Sequence, residues 1–350
     1  MADPLSSGLP AIGDPVGDDT RAMQAARAMG RTARLRTSPN PWVGSVVVAD
    51  GRIVGRGVTE PPGGAHAERL ALDEAGTAVA DATLYTTLEP CDHEGRTGPC
   101  SEAVVAAGIR RVVVGVEDPD PNVSGRGVAR LRDAGLEVVV GVLGDEVADD
   151  LTPYLHHRST GRPFVVLKVA ATLDGRTAAP DGTSRWITGA EARADVHRLR
   201  AESDAVVVGA GTVRADDPRL DVRDLPDGPV DPGSVPQPRR IVLGSIPEDA
   251  RVRPAEEHHG DLGGLLDRLG DEGVLQVLVE GGADVAGRFH RAGLVDRYVV
   301  YVAPAVLGGD DGRGLLAGAG APTMADVWRG RTALVVRLGE DVRIDVVPHR

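Results

Sequence analysis

Glu89-Pro90-Cys91-Asp92-His93-Glu94-Gly95-Arg96-Thr97-Gly98-Pro99-Cys100 holds both cysteines of the 350-residue chain. Upstream, Ala65-His66-Ala67-Glu68 adds an imidazole and, two residues on, a carboxylate. His66, Cys91 and Cys100 together make a zinc-binding set with a fourth position left for water, which is how catalytic zinc differs from four-ligand structural zinc. Two other readings stay open on these residues. His93, inside the Cys-to-Cys loop, would close a structural site, or the two cysteines are free buried thiols.

Working outward, His-x-Glu followed by Pro-Cys and a second Cys is the order found in zinc-dependent deaminases. Eight residues separate the cysteines here instead of the usual two. In such a site the metal lowers the pKa of its water to about 7. Glu68 is placed to move protons between hydroxide and a departing amine. Helical spacing over Asp18 to Gly30 and His66 to Ala75 puts the histidine and Glu68 in a first turn. Strands are expected at Ser45 to Val48, after the Gly51 turn, and at Leu84 to Thr87, which delivers Cys91. A helix opens at Pro99-Cys100, so the metal lies between two helix N-termini, which favour thiolate and hydroxide. Val112 to Val116, a helix near Gly127 to Ala134, and Glu137 to Gly141 complete an α/β alternation.

The boundary is expected near Leu155 to Pro163. Beyond it, strands are expected at Phe164 to Val169, Ala205 to Gly209, Ile241 to Leu243, Leu275 to Val279, Arg297 to Val302, Leu334 to Leu338 and Val342 to Val347. Helices are expected at Ala190 to Arg200 and Ala283 to Ala292. Asp224 to Pro238, dense in Pro, Gly and Asp, is read as a surface insertion. Gly209-Ala210-Gly211 lacks the third glycine of a dinucleotide fingerprint and, on this reading, the helix that should follow it. Glu280-Gly281-Gly282 joins a strand to a helix and can present backbone amides to a phosphate, though a plain tight connection has the same sequence.

Bulk composition limits the function classes. A hydrophobic share of 41% and a charged share of 26% fit a soluble globular protein. No apolar run reaches membrane-spanning length. A net charge of −13 argues against a polynucleotide partner, and 3% aromatics leaves few platforms for stacked bases. Residues 1–17 read as a flexible tail without the basic start or apolar core of a signal peptide. Assigning both cysteines to metal fits a reducing cytoplasm. Lys168 is the only lysine among 39 basic residues, which suggests a need for a compact charge at that position.

These residues resemble the bifunctional riboflavin-biosynthesis deaminase-reductases over about residues 18 to 310. The first half matches in Pro39-Asn40-Pro41-x-Val43-Gly44, in His66-Ala67-Glu68, in the Glu89 to Cys100 run with its eight-residue spacing, and in Asp118-Pro119-x-Pro121-x-Val123-x-Gly125-x-Gly127. The second half matches in Leu167-Lys168, Leu173-Asp174-Gly175, Trp186-Ile187-Thr188, Asp195-Val196-His197-x-Leu199-Arg200, Gly211-Thr212-Val213-x-Ala215-Asp216-Asp217-Pro218 and Glu280-Gly281-Gly282. Departures are Ala65 and Gly98 in place of prolines, and Ser45 where cysteine is frequent.

The resemblance implies an α/β chain with a cytidine-deaminase-like three-layer domain at 18–158 and a dihydrofolate-reductase-like domain at 162–350. It implies Zn²⁺ and NADPH as cofactors and a phosphorylated pyrimidine as substrate. The first half would remove the 2-amino group of 2,5-diamino-6-ribosylamino-4(3H)-pyrimidinone 5′-phosphate, and the second would reduce the ribosyl to a ribityl group. It also implies a homo-oligomer, dimer or tetramer. His66, Cys91 and Cys100 would hold zinc, with Glu68, Lys168 and Asp216 catalytic. Ala170, Trp186, Thr212, Asp216, Ser245, Gly282, Ala283, Asp284, Val285, Ala286, Gly287 and Arg288 would fall at the cofactor. Asn40, Ser184, Arg200, Leu220, Arg223 and Glu280 would fall at substrate, with Arg200 and Arg223 as bidentate phosphate partners. His93 would lie over zinc. Two other functions stay open: a zinc deaminase of another base with a degenerate second half, and a pyrimidine- or NADP(H)-sensing protein.

Overall fold

The structure, a computed structural model, describes residues 8–93, 98–120, 123–225, 228–229 and 235–349. The chain divides into two compact units, residues 1–161 and 162–350.

The first unit contains α1 (Asp19–Arg31), β1 (Gly44–Ala49), β2 (Arg52–Val58), α2 (Ala67–Ala75), β3 (Thr83–Leu88), α3 (Cys100–Ala106), β4 (Arg111–Val116), α4 (Arg126–Asp133), β5 (Glu137–Val140), α5 (Gly144–Asp150) and α6 (Thr152–Thr160). Its sheet runs β2-β1-β3-β4-β5, antiparallel where β1 meets β2 and β3 and parallel from β3 onward. Side chains alternate across each strand. Val47, Leu84, Val112 and Val114 therefore meet the buried faces of α2, α3 and α4, while α1 covers the other face of β1 and β3.

Two glycines set how closely the helices approach. A side chain on Gly57 would overlap the Ala67 carbonyl of α2, and one on Gly44 would overlap the Ala26 carbonyl of α1. α1 starts at the Asp18 cap, whose carboxylate accepts from the Arg21 N–H at 2.8 Å.

One expectation for this unit needs correction. Within the stretch expected as a tail, residues 13–16 are tied to the outer edge of β2 through Gly13 N–H to Ile53 O (2.8 Å), Ile53 N–H to Asp14 O (3.0 Å) and Val16 N–H to Gly51 O (2.7 Å). β2 is an edge strand whose unpaired groups take the incoming chain. Residues 1–7 of that stretch lie outside the described residues. Across Leu155 to Pro163, where the boundary is expected, the chain is helical to Thr160 and stops at Gly161 in the left-handed conformation, with the division between the units at residues 161 and 162. The motif positions Glu94, Gly95, Arg96, Thr97 and Pro121 lie outside the described residues.

The second unit contains β6 (Phe164–Thr172), β7 (Arg176–Ala178), α7 (Ala190–Ala201), β8 (Ala205–Gly209), α8 (Ala210–Asp216), β9 (Asp224–Leu225), β10 (Gly228–Pro229), β11 (Arg239–Leu243), β12 (Glu256–His258), α9 (Leu262–Asp271), β13 (Gln276–Val279), α10 (Ala283–Arg291), β14 (Arg297–Ala303), β15 (Arg313–Gly314), β16 (Gly330–Leu338) and β17 (Asp341–Pro348). Its main sheet runs β12-β11-β8-β13-β6-β14-β17-β16, parallel through β14 and antiparallel over the last two strands. One face packs Val165, Leu167, Val207 and Val277 on α9 and α10. The other packs Val166, Val206, Leu278 and Tyr301 on α7 and α8. The chain is thus α/β in both units.

α8 corrects the expectation that no helix follows Gly209. Gly209 is its extended N-cap, and Ala210 and Val213 bury against the sheet. At seven residues, with Gly211 and Thr212 inside it, the helix leaves little periodic signal; packing forms it against propensity. Much of the expected surface insertion, 226–227 and 230–234, lies outside the described residues.

Candidate active sites

In the first unit, β3 runs out toward Cys91, α2 starts at His66 as its N-cap, and Cys100 is the first residue of α3. His66 Nδ1 lies 3.5 Å from Cys91 Sγ and 3.3 Å from Cys100 Sγ, with all three donor atoms within 4.8 Å of one another. Tetrahedral zinc, at about 2.3 Å from sulfur and about 2.0 Å from nitrogen, requires an N···S edge of about 3.5 Å. The donor set therefore fits zinc in type and spacing. Among the described residues the cluster has three members, and the exposed His93 is not one of them.

The electrostatics suit a metal site. The Cys100 thiol hydrogen-bonds to Cys91, and with the His66 ring it holds Cys91 down at about 4 despite burial. The same shared proton, with burial, pushes the Cys100 thiol up. Contact with Cys91 raises the His66 ring above its ordinary value, against burial. Glu68 sits in the first turn of α2, only 3% exposed. Burial pushes its carboxyl up to about 7, partly offset by His66. A carboxyl in that range both takes and returns protons near neutrality. Asn40 is half-buried in the turn before β1, its N–H bonded to Thr37 O at 2.7 Å.

In the second unit, β8 ends at Gly209 and β13 at Val279, while their neighbour β6 passes through Lys168 and runs on to Thr172. Val279 pairs with Leu167, which brings Glu280 beside Lys168. The Lys168 ammonium lies 5.9 Å from the Tyr301 ring centre. Burial lowers the Lys168 pKa, and Glu280 opposes that shift. Arg200, on α7, reaches Glu280 with two bonds, 2.6 and 2.9 Å. Burial alone would raise the Glu280 carboxyl, but Arg200 and then Lys168 hold it below its ordinary value.

The arginine fork expected to grip a phosphate is thus occupied by a carboxylate of its own chain. Arg223 similarly pairs with Asp221. Sequence order gave no sign of the Arg200–Glu280 pairing, because partners 80 residues apart meet only through the sheet.

Ser184 and Trp186 line one cavity of about 180 Å³ with Thr172, Arg176 and Leu307. Trp186 is exposed, with the Arg193 guanidinium 4.6 Å from its ring centre. Asp216, the last residue of α8, lies 3.5 Å from Arg185, a neighbour that its motif did not suggest. Arg176 in the cavity wall was likewise missed; its carbonyl contacts to Gly309 and Gly312 span the sequence and leave no local signal. Thr212 faces Gly282, where a side chain would come within 3.6 Å of its hydroxyl.

Gly282 caps α10, with Asp284 and Arg288 exposed. Ala283, Val285, Ala286 and Gly287 are buried, and Val285 and Ala286 belong to the sheet-facing core. Leu220 is also in the core, at φ +55°. Ala170 is half-buried on β6, and Ser245 is exposed just past β11.

The first unit's fold and donor set define a zinc-dependent deaminase domain. Residues 17–116 match the model of the cytidine and deoxycytidylate deaminase zinc-binding region, and residues 163–343 match that of the RibD C-terminal domain. The chain is 39% identical to the riboflavin biosynthesis protein RibD of Escherichia coli, covering 94% of this chain and 99% of that protein. It is 43% identical to RibD of Chlamydia muridarum over 84% of this chain and 87% of that protein. Among solved structures, Acinetobacter baumannii RibD superposes with a TM-score of 0.89 at 39% identity, covering 95% of this chain and 99% of that one. A Thermotoga maritima diaminohydroxyphosphoribosylaminopyrimidine deaminase/5-amino-6-(5-phosphoribosylamino)uracil reductase gives 0.83 at 33% identity, covering 94% and 98%. The chain belongs to the RibD family of riboflavin biosynthesis proteins.

Proposed function

We propose that this chain carries out two successive steps of riboflavin biosynthesis. Residues 18–158 deaminate 2,5-diamino-6-ribosylamino-4(3H)-pyrimidinone 5′-phosphate, and residues 162–350 reduce the product's ribosyl group with NADPH. The product is 5-amino-6-ribitylamino-uracil 5′-phosphate. The observation that carries the reading is the three-donor cluster with the buried Glu68 two residues from His66, in a chain of the RibD family.

His66, Cys91 and Cys100 hold zinc, which supplies the acidity that makes water nucleophilic near neutral pH. Glu68 takes the water's proton and delivers protons to the ring nitrogen and the leaving ammonia. Asn40 hydrogen-bonds the pyrimidine edge. In the second unit, NADPH would be held at the start of α10 and around Thr212, and would supply the hydride for reducing the ribosyl group. Lys168, held partly desolvated beside Glu280, donates to a ribose hydroxyl or fixes the cofactor, and Asp216 stabilises the cationic imine of the ring-opened ribosyl group.

Trp186, Thr212, Ala170, Ser245 and the α10 start from Gly282 to Arg288 serve the cofactor. Ser184, Arg200, Leu220, Arg223 and Glu280 serve the substrate, with Arg200 acting through Glu280.

The chain acts in the cytoplasm as a homo-oligomer. The described residues include no helix long and apolar enough to cross a membrane. Strand β16 exposes Leu334, Val335 and Val336 along a sheet edge, a surface suited to a second copy. Supplying the diaminopyrimidinone phosphate with NADPH should give ammonia release and NADPH oxidation in equal amounts. Ammonia without NADPH loss refutes the second activity, and neither signal refutes both.

A further inference from the structure

Glu89 has no part in the chemistry above, yet its surroundings are unusual for a carboxylate two residues from a metal ligand. Its own N–H continues the sheet, bonding Val116 O at 3.0 Å. Its side chain is 3% exposed. Oε2 accepts from Asp118 N–H at 3.2 Å and Gly125 N–H at 3.0 Å, and Oε1 accepts from Val128 N–H at 3.1 Å.

Val128 is the third residue of α4, and the cap position is Gly125, at φ +75° with no side chain to offer. A helix start leaves its first N–H groups without partners, and a cap side chain normally takes the one at the third position. Glu89 does this from a different segment, and its negative charge also suits the positive end of the helix.

The same helix presses on the chain just before Cys91. A side chain at Gly127 would overlap the Pro90 carbonyl. On the other side of Cys91, Arg130 of α4 reaches Asp92 at 3.4 Å, and Asp92 accepts from Ser101 Oγ at 2.5 Å. Cys91 O accepts from Ser101 N–H at 3.1 Å, next to Cys100. α4 thus braces Cys91 from before and after, and Glu89 fastens α4.

We propose that Glu89 is a positioning residue for the metal site: by capping α4 from the end of β3, it fixes the Pro90-Cys91 backbone and so the place of the Cys91 sulfur. This rests on the zinc reading above. A ligand seat tolerates about 0.2 Å, so loosening that backbone weakens zinc retention without removing a ligand. Glu89→Gln is the test substitution, because its amide nitrogen cannot accept the N–H bonds that one carboxylate oxygen now takes.

The measurement is zinc transfer from the full-length protein to a chromogenic chelator, followed in time. Glu89→Gln should release zinc roughly 10–100-fold faster than the parent, the range seen when groups supporting metal ligands are removed. Met23→Ala, a fully buried change on α1, serves as a destabilised control and should release at the parental rate. Reductase turnover on the deaminated intermediate should be unchanged in both. Release within twofold of the parent, or equal acceleration in Met23→Ala, overturns the proposal. If Glu89→Gln does not fold, Arg130→Gln reads the same brace from its exposed end. At least threefold faster release is then expected, and the parental rate overturns the proposal. A parent without stoichiometric zinc would instead refute the zinc reading itself.

Discussion

Replacing Glu280 with Gln should separate the two activities. Arg200 and Glu280 are 13% and 7% exposed, and two bonds of 2.6 and 2.9 Å join them. Removing one member of such a pair strands a buried charge, at a cost of about 3–5 kcal/mol. For a unit of this size each kcal/mol lowers the melting temperature by about 2–4 °C, so the expected drop is roughly 6–20 °C. Lys168 also loses the neighbour that favours its charged form. Full-length Glu280→Gln should therefore lose NADPH oxidation with the deaminated intermediate while still releasing ammonia from the first substrate. Thermal unfolding followed by loss of NADPH binding gives the stability change. A double substitution, Arg200→Leu with Glu280→Leu, should recover much of the lost stability, because packed apolar pairs often replace buried ion pairs without loss. It should not recover reduction. A Glu280→Gln protein that melts within about 2 °C of the parent, or that reduces normally, would refute this reasoning.

Gly57→Ala should lower deamination more than reduction, because the added methyl displaces α2 at Ala67, beside both His66 and Glu68. Overpacking of this kind costs about 1–3 kcal/mol, and steady-state assays of the two half-reactions check the split. Stripping zinc with a chelator should abolish ammonia release and leave NADPH oxidation on the deaminated intermediate intact; zinc analysis paired with both assays tests this. Asp19 is held below its ordinary 3.8 mainly by its hydrogen bond to Arg111. Its contribution to stability is thus complete above about pH 4 and is lost as pH falls through its lower folded value. Denaturant titrations from pH 6 down to 3 should show a smaller acid loss in Asp19→Asn than in the parent.

The first unit was largely legible because its signals are local. Periodicity marked α1 and α2, alternation marked the strands, and the ligand types spoke for themselves within a few residues of one another. What the sequence hid was set by distant packing. α8 forms because Ala210 and Val213 find a sheet to cover, against its own glycine and threonine. α9 was not expected, although Leu262, Leu265, Leu266 and Leu269 repeat at helical spacing. The first segments to pair with β2 looked like a loose end, since an open strand edge is visible only once the sheet exists. The motif around Arg200 gives residue type without showing that Glu280 of the same chain meets its fork with two bonds.

Glu68 rides on the same helical turn that His66 opens, and that turn is seated on β2 without so much as a methyl group between them. Glu68 and His66 therefore cannot drift apart independently. Any slippage of the helix would carry both together and keep their spacing, so under the proposed function the acid and the metal would stay in step with one another.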